Sequence, residues 1–150
     1  MLDKVVEWHK KARPTPDDAA FNVQLGCHLE EVVEMLVVLS ADEKNRTCSD
    51  TAFLLDDCTS YVGRLASRLK RGVATLVVAD RKDFLDSLAD QVVTAAGVAH
   101  CAGMDIEGAL DRVNASNWSK FDENGEPIFD DNGKIKKGPQ YAAPNLDGLF

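Results

Sequence analysis

A chain of 150 residues with 45% apolar and 28% charged residues has the composition of an ordinary globular domain, long enough to bury a core. Its formal charge of -8 argues against a partner held through a phosphate backbone, so no nucleic acid is expected. Its apolar runs fall far short of the roughly 20 residues that cross a bilayer, and Met1-Leu2-Asp3-Lys4 lacks the apolar stretch of a signal peptide. The expectation is a single cytoplasmic domain over 1–150 with no membrane partner. The four cysteines, Cys27, Cys48, Cys58 and Cys101, form no CxxC pair and are expected as buried free thiols.

In chain order, Leu2 to Arg13 predicts a short amphipathic helix with Leu2, Val5, Val6 and Trp8 inward, ended by Pro14. Thr15-Pro16-Asp17-Asp18 offers a threonine cap, a proline in the first turn and two acids at the positive end of a helix dipole. The helix that follows is expected to run to about Ser40. Gly26 in its interior costs about 1 kcal/mol relative to alanine, which suggests close packing or the approach of a ligand. Ala41 to Thr47 reads as a polar connection. Ser49 is a cap for a third helix, about Asp50 to Arg71, with an inward stripe of Phe53, Leu54, Cys58, Tyr61, Val62, Leu65 and Leu69.

Gly72 closes that helix. Val73 to Ala79 is β-branched, but with no partner strand in view it is expected as a buried connection or a helical turn. Asp80 caps a fourth helix, Arg81 to Ala102, whose small residues from Thr94 onward place it at the centre of the fold or at a subunit interface. Gly103 ends it, and Asp105 caps a fifth helix, Ile106 to Trp118. Beyond Asp122 the chain is rich in Gly, Pro, Asn and Asp. Pro127-Ile128-Phe129, the turn Asp131-Asn132-Gly133 and Lys134-Ile135-Lys136 predict a short hairpin, followed by an extended tail. The fold class is all-α, a bundle of four to five helices.

Two helices carry acids at one-turn spacing. Glu30, Glu31 and Glu34 stack on one side of the second helix, and Asp86 and Asp90 on one side of the fourth. Like charges so placed repel by a few tenths of a kcal/mol per pair. Solvent relieves that repulsion, and so does a divalent cation. If the two faces meet, their oxygens suit a hard cation, Mg²⁺ being the usual one for phosphate chemistry. A di-iron bundle would need Glu-x-x-His motifs, which are absent here.

The combination resembles the all-α nucleoside triphosphate pyrophosphohydrolases: the MazG-like proteins, the phosphoribosyl-ATP pyrophosphohydrolases and the dimeric dUTPases. Glu30-Glu31-Val32-Val33-Glu34 matches the EExxE half of the MazG signature. In the later ExxD half, Asp90 matches the aspartate, while Ser87 stands where the family has glutamate and Asp86 is the substitute. Val6-Glu7-Trp8-His9, the stretch Gly97 to Ile106, Asn117-Trp118-Ser119-Lys120-Phe121 and Gly133-Lys134-Ile135-Lys136-Lys137-Gly138-Pro139-Gln140-Tyr141 are similar to further family segments, so the match covers most of the chain.

The resemblance implies a helical core over about 1–120 and a tail over about 121–150. It implies Mg²⁺ (or Mn²⁺) held by Glu30, Glu31, Glu34, Asp86 and Asp90, with one of Glu30, Glu31 and Glu34 acting on the attacking water. Asn117, Lys120, Lys134, Lys137 and Tyr141 become candidate substrate contacts. The implied reaction splits the α–β phosphoanhydride of a ribo- or deoxynucleoside triphosphate to the monophosphate and pyrophosphate, for control or cleaning of nucleotide pools. The implied assembly is a homodimer or a dimer-based homotetramer. The alternatives are phosphoribosyl-ATP hydrolysis and a non-catalytic helical oligomer that keeps the fold.

Overall fold

A computed structural model describes residues 2–40 and 48–150. All regular secondary structure among them is helical: α1 (Leu2–Ala12), α2 (Asp18–Val37), α3 (Cys48–Lys70), α4 (Arg81–Cys101) and α5 (Ile106–Trp118). The all-α expectation is met, and the expected connection Ala41 to Thr47 lies outside the described residues. The described residues fall into two compact units. The first is drawn from Met1–Thr15, Val77–Asp130 and Ile135–Phe150, the second from Pro16–Leu76 and Asp131–Lys134.

In the second unit, α2 starts at Asp18, two residues before its first buried residue, Ala20. Its cap is Asp17, whose carboxylate accepts the Ala20 N–H at 2.7 Å, and not Thr15. An ionised acceptor is the stronger partner for the positive end of a helix. α3 already includes Cys48, so Ser49 lies within the helix. α2 and α3 pack together, and the residues they bury are small or medium: Ala20, Asn22, Val23 and Gly26 on α2, Ala66 and Leu69 on α3. Gly26 is what allows the close approach. A Cβ there would stand 2.9 Å from the Ala66 carbonyl oxygen and 2.8 Å from Cγ of Lys70.

Gly26→Ala therefore sets two effects against each other. Alanine is better in a helix interior by about 1 kcal/mol, but overpacking against backbone costs about 1–3 kcal/mol. A net loss of stability is expected, read by urea unfolding followed by circular dichroism. A net gain would show that α3 can move away without cost.

The stretch from Val73 to Ala79 is neither helical nor buried. Val73 and Val77 are exposed, the latter at 85%. Asn22 does for it what a neighbouring strand would do. Its Oδ1 accepts the Leu76 N–H at 2.7 Å and its Nδ2 donates to the Leu76 carbonyl at 3.2 Å and to the Asp18 carbonyl at 2.9 Å. A buried amide with its hydrogen bonds made is stable where an unpaired one would not be.

The first unit is built on an aromatic stack. Trp8 of α1 and Phe121 lie nearly parallel with centroids 5.9 Å apart, and Trp118 meets Phe121 edge-on at 5.4 Å. Ala12 is buried with them and Ile135 packs against the cluster. The C-terminal segment then returns along α5 in the reverse direction. Gly138 N–H donates to the Lys120 carbonyl at 3.0 Å, and Ser116 Oγ to the Ala142 carbonyl at 2.7 Å. Arg112 donates to the carbonyls of Asn145 and Asp147 at 2.8 and 3.0 Å, and Asp105 N–H to that of Leu149 at 2.8 Å. Between α5 and this return, no strand forms among the described residues where a hairpin is expected; there is one isolated antiparallel bridge, Phe129 to Ile135, with Lys136 N–H donating to the Ile128 carbonyl at 2.7 Å.

Asp80 and Asp105 cap α4 and α5 as expected. Much of the apolar stripe of α3, and nearly all of that of α4, is not buried within the chain. Phe53, Leu54 and Tyr61 of α3 are exposed, as are Leu85, Val92, Val93 and Val98 of α4, where Ala99 alone is buried. Cys27, Cys58 and Cys101 are free thiols as expected, but not buried ones: Cys27 is half-buried, and Cys58 and Cys101 are exposed. Among the described residues no helix is long and apolar enough to cross a membrane.

Candidate functional site

The acids of α2 do not share one environment. A continuous helix carries Glu30 on the side facing α3, half-buried, while Glu31 and Glu34 are exposed. Glu30 accepts from two ammonium groups, one on each oxygen. Lys70, the last residue of α3, donates to Oε1, and Lys134 donates to Oε2 at 3.0 Å. The Lys70 side chain is 21% exposed and that of Lys134 44%. Burial works to raise the Glu30 carboxyl, but the two lysine hydrogen bonds and their charges outweigh it, so its pKa lies below the usual glutamate range. Cys27, one turn earlier, is pushed the other way: burial raises its thiol, only partly offset by Lys134.

The remaining candidates belong to the first unit. Asp86 and Asp90 stand one turn apart on α4 and are both exposed. Asp90 does not border a buried stretch, since the valines after it are open to solvent. Asn117 and Lys120 are bound to each other, Nζ to Oδ1 at 2.6 Å, at the C-terminal end of α5. Lys120 also stands 5.9 Å from the Trp8 ring, which gives it a place over the aromatic stack. Lys137 lies 4.5 Å over the ring of Tyr141, whose N–H donates to the Gly138 carbonyl at 3.1 Å.

Among the described residues, no group of three or more His, Cys, Asp or Glu side chains is gathered tightly enough to hold a metal ion. The donor set of α2 nevertheless suits a hard cation by chemistry: three carboxylates on adjoining turns, two of them facing water. Each oxygen of Glu30 keeps a second lone pair beside the one its lysine takes.

Lys70 is the site residue that sequence reasoning passed over, because it reads there as one of several basic residues at a helix end. Its signal was Gly26, an interior glycine without local purpose. No family model, no characterised protein and no solved structure matches this chain.

Proposed function

We propose that this chain is a Mg²⁺-dependent nucleoside triphosphate pyrophosphohydrolase of the MazG-like type, its tail hairpin included, releasing pyrophosphate and the nucleoside monophosphate. The observation that carries the reading is the Glu30–Lys134 contact, because these residues stand 104 positions apart in sequence. The EExxE helix and the Gly-Lys-x-x-Lys-Gly segment are two stretches that the family resemblance assigns to one site, and here they meet. In this reading Glu30, Glu31 and Glu34 would hold the cation. A divalent cation held there would supply charge neutralisation for the phosphates and the leaving pyrophosphate. Lys134 orients the phosphate chain, and an exposed glutamate, Glu31 or Glu34, positions the attacking water and takes its proton.

The test is release of pyrophosphate across a panel of ribo- and deoxynucleoside triphosphates, with Mg²⁺, with Mn²⁺ and with EDTA. Metal-dependent release of pyrophosphate with the matching monophosphate is expected for at least one nucleotide. Release of orthophosphate instead, or no turnover of any member, would refute the reading. Turnover of phosphoribosyl-ATP alone would transfer the chain to the histidine-pathway branch of the same chemistry.

The reading includes a homodimer or a dimer-based homotetramer. The open apolar stripes of α3 and α4 support it, because single-chain proteins rarely leave contiguous apolar patches of more than a few hundred Å² in water. Light scattering on the purified chain is expected to give a mass of at least two copies, and a single-chain mass at micromolar concentration would remove this part of the proposal.

A further inference from the structure

We propose that α3 is the face on which two copies of this chain meet, the two helices running antiparallel along a seam of Leu54, Cys58, Tyr61 and Leu65. This pairing rests on the self-association included in the preceding reading and not on its chemistry. It adds the face, the direction and the register.

Three observations carry it. The seam residues recur at intervals of four, three and four, the spacing of a helix that packs lengthwise against another. They are also open: Leu54 is 64% exposed and Tyr61 62%, because α2 covers a different side of α3, over Ala66 and Leu69. Beside the seam runs a row of charged residues spaced seven apart, Asp50, Asp57, Arg64 and Arg71, with the acids in its first half and the bases in its second. The dipole of α3 accounts for such an order only within the terminal turns, and Asp57 and Arg64 stand in the middle of the helix. Among the described residues neither of these two has an ion pair within the chain. The Arg64 guanidinium lies 4.7 Å over the Tyr61 ring, which keeps it at the edge of the seam. Turning a second α3 end for end about a point between Thr59 and Ser60 sets Leu54 level with the partner's Leu65 and Cys58 level with the partner's Tyr61. The same turn brings Asp57 beside the partner's Arg64 and Asp50 beside the partner's Arg71. A parallel pair would set acid beside acid and base beside base. A uniformly basic or uniformly acidic partner would match only half of the row, whereas a second copy of the chain matches both halves.

The test is self-association of the whole chain, followed by sedimentation equilibrium at low salt, with the charge row reversed one half at a time. Asp57→Arg and Arg64→Asp each turn two attractive contacts per pair of copies into two repulsive ones. Each variant alone is expected to raise the dissociation constant about ten- to a hundredfold, the range of four weak charge contacts. Both side chains are exposed, so helicity by circular dichroism is expected to stay unchanged. An equimolar mixture of the two variants is expected to recover the affinity of the unaltered chain, because arginine on one copy then faces aspartate on the other at both positions. The double variant Asp57→Arg/Arg64→Asp is expected to recover it as well. A fault in folding could not be cured by mixing. If the unaltered chain associates and the single variants associate as tightly as it does, or their mixture recovers nothing, the α3 pairing is refuted while self-association stands on another surface. A single-chain mass at every concentration would remove both together.

Discussion

Glu34→Gln is expected to lower pyrophosphate release by a factor on the order of a hundred to ten thousand, the usual loss when a group that moves a proton is removed, and to leave the chain at least as stable as before. The second half of this expectation gives the experiment its force. Glu34 is exposed and stands one turn after both Glu30 and Glu31 on α2. Its charge is therefore a small burden on the helix, and the neutral amide relieves a few tenths of a kcal/mol per repelling pair. A dead enzyme with an unchanged or higher urea midpoint would separate chemistry from folding in one variant. Unchanged turnover would deny Glu34 any part in the reaction.

Phe121→Ala is expected to destabilise the first unit by about 3–5 kcal/mol, the range for truncating a buried aromatic. Phe121 is 3% exposed, stacked on Trp8 and met edge-on by Trp118, so its loss leaves a cavity that two rigid rings cannot refill. The chain offers its own probe. Both tryptophans of the sequence belong to this unit, so tryptophan fluorescence during urea unfolding reports on it alone. A shift smaller than about 1 kcal/mol, below even a modest core deletion, would mean that the ring is not part of the load borne by this stack. The Gly138 N–H bond to the Lys120 carbonyl sits beside the same ring, so loosening of the C-terminal return should accompany the loss.

The helices were legible because their signals are local. Asp80 and Asp105 precede clear periodic runs, and each caps through its own carboxylate. The apolar stripes were legible as stripes but not as core. Periodicity shows that Phe53, Tyr61, Val92 and Val93 share helix faces, and it is silent on whether their cover comes from this chain or from another. The connection from Val73 to Ala79 differs from the expectation for a related reason: β-branched residues suggest burial, whereas Leu76 is held by a distant side chain, that of Asn22, and the N–H groups of Val73 and Ala74 by the Arg68 carbonyl. In the site, the acids were visible as a pattern, but the division between a paired Glu30 and open Glu31 and Glu34 depends on where α3 ends. No spacing along α2 contains that.

The close crossing at Gly26 also has an evolutionary consequence. A side chain at position 26 would occupy the space through which Lys70 reaches Glu30, and it would also meet the backbone of Ala66 and Lys70. Descendants of this sequence should therefore keep the glycine wherever they keep the lysine, and can lose the lysine without losing the glycine. A lineage that replaced Gly26 would have to find the second ammonium for Glu30 elsewhere on the chain.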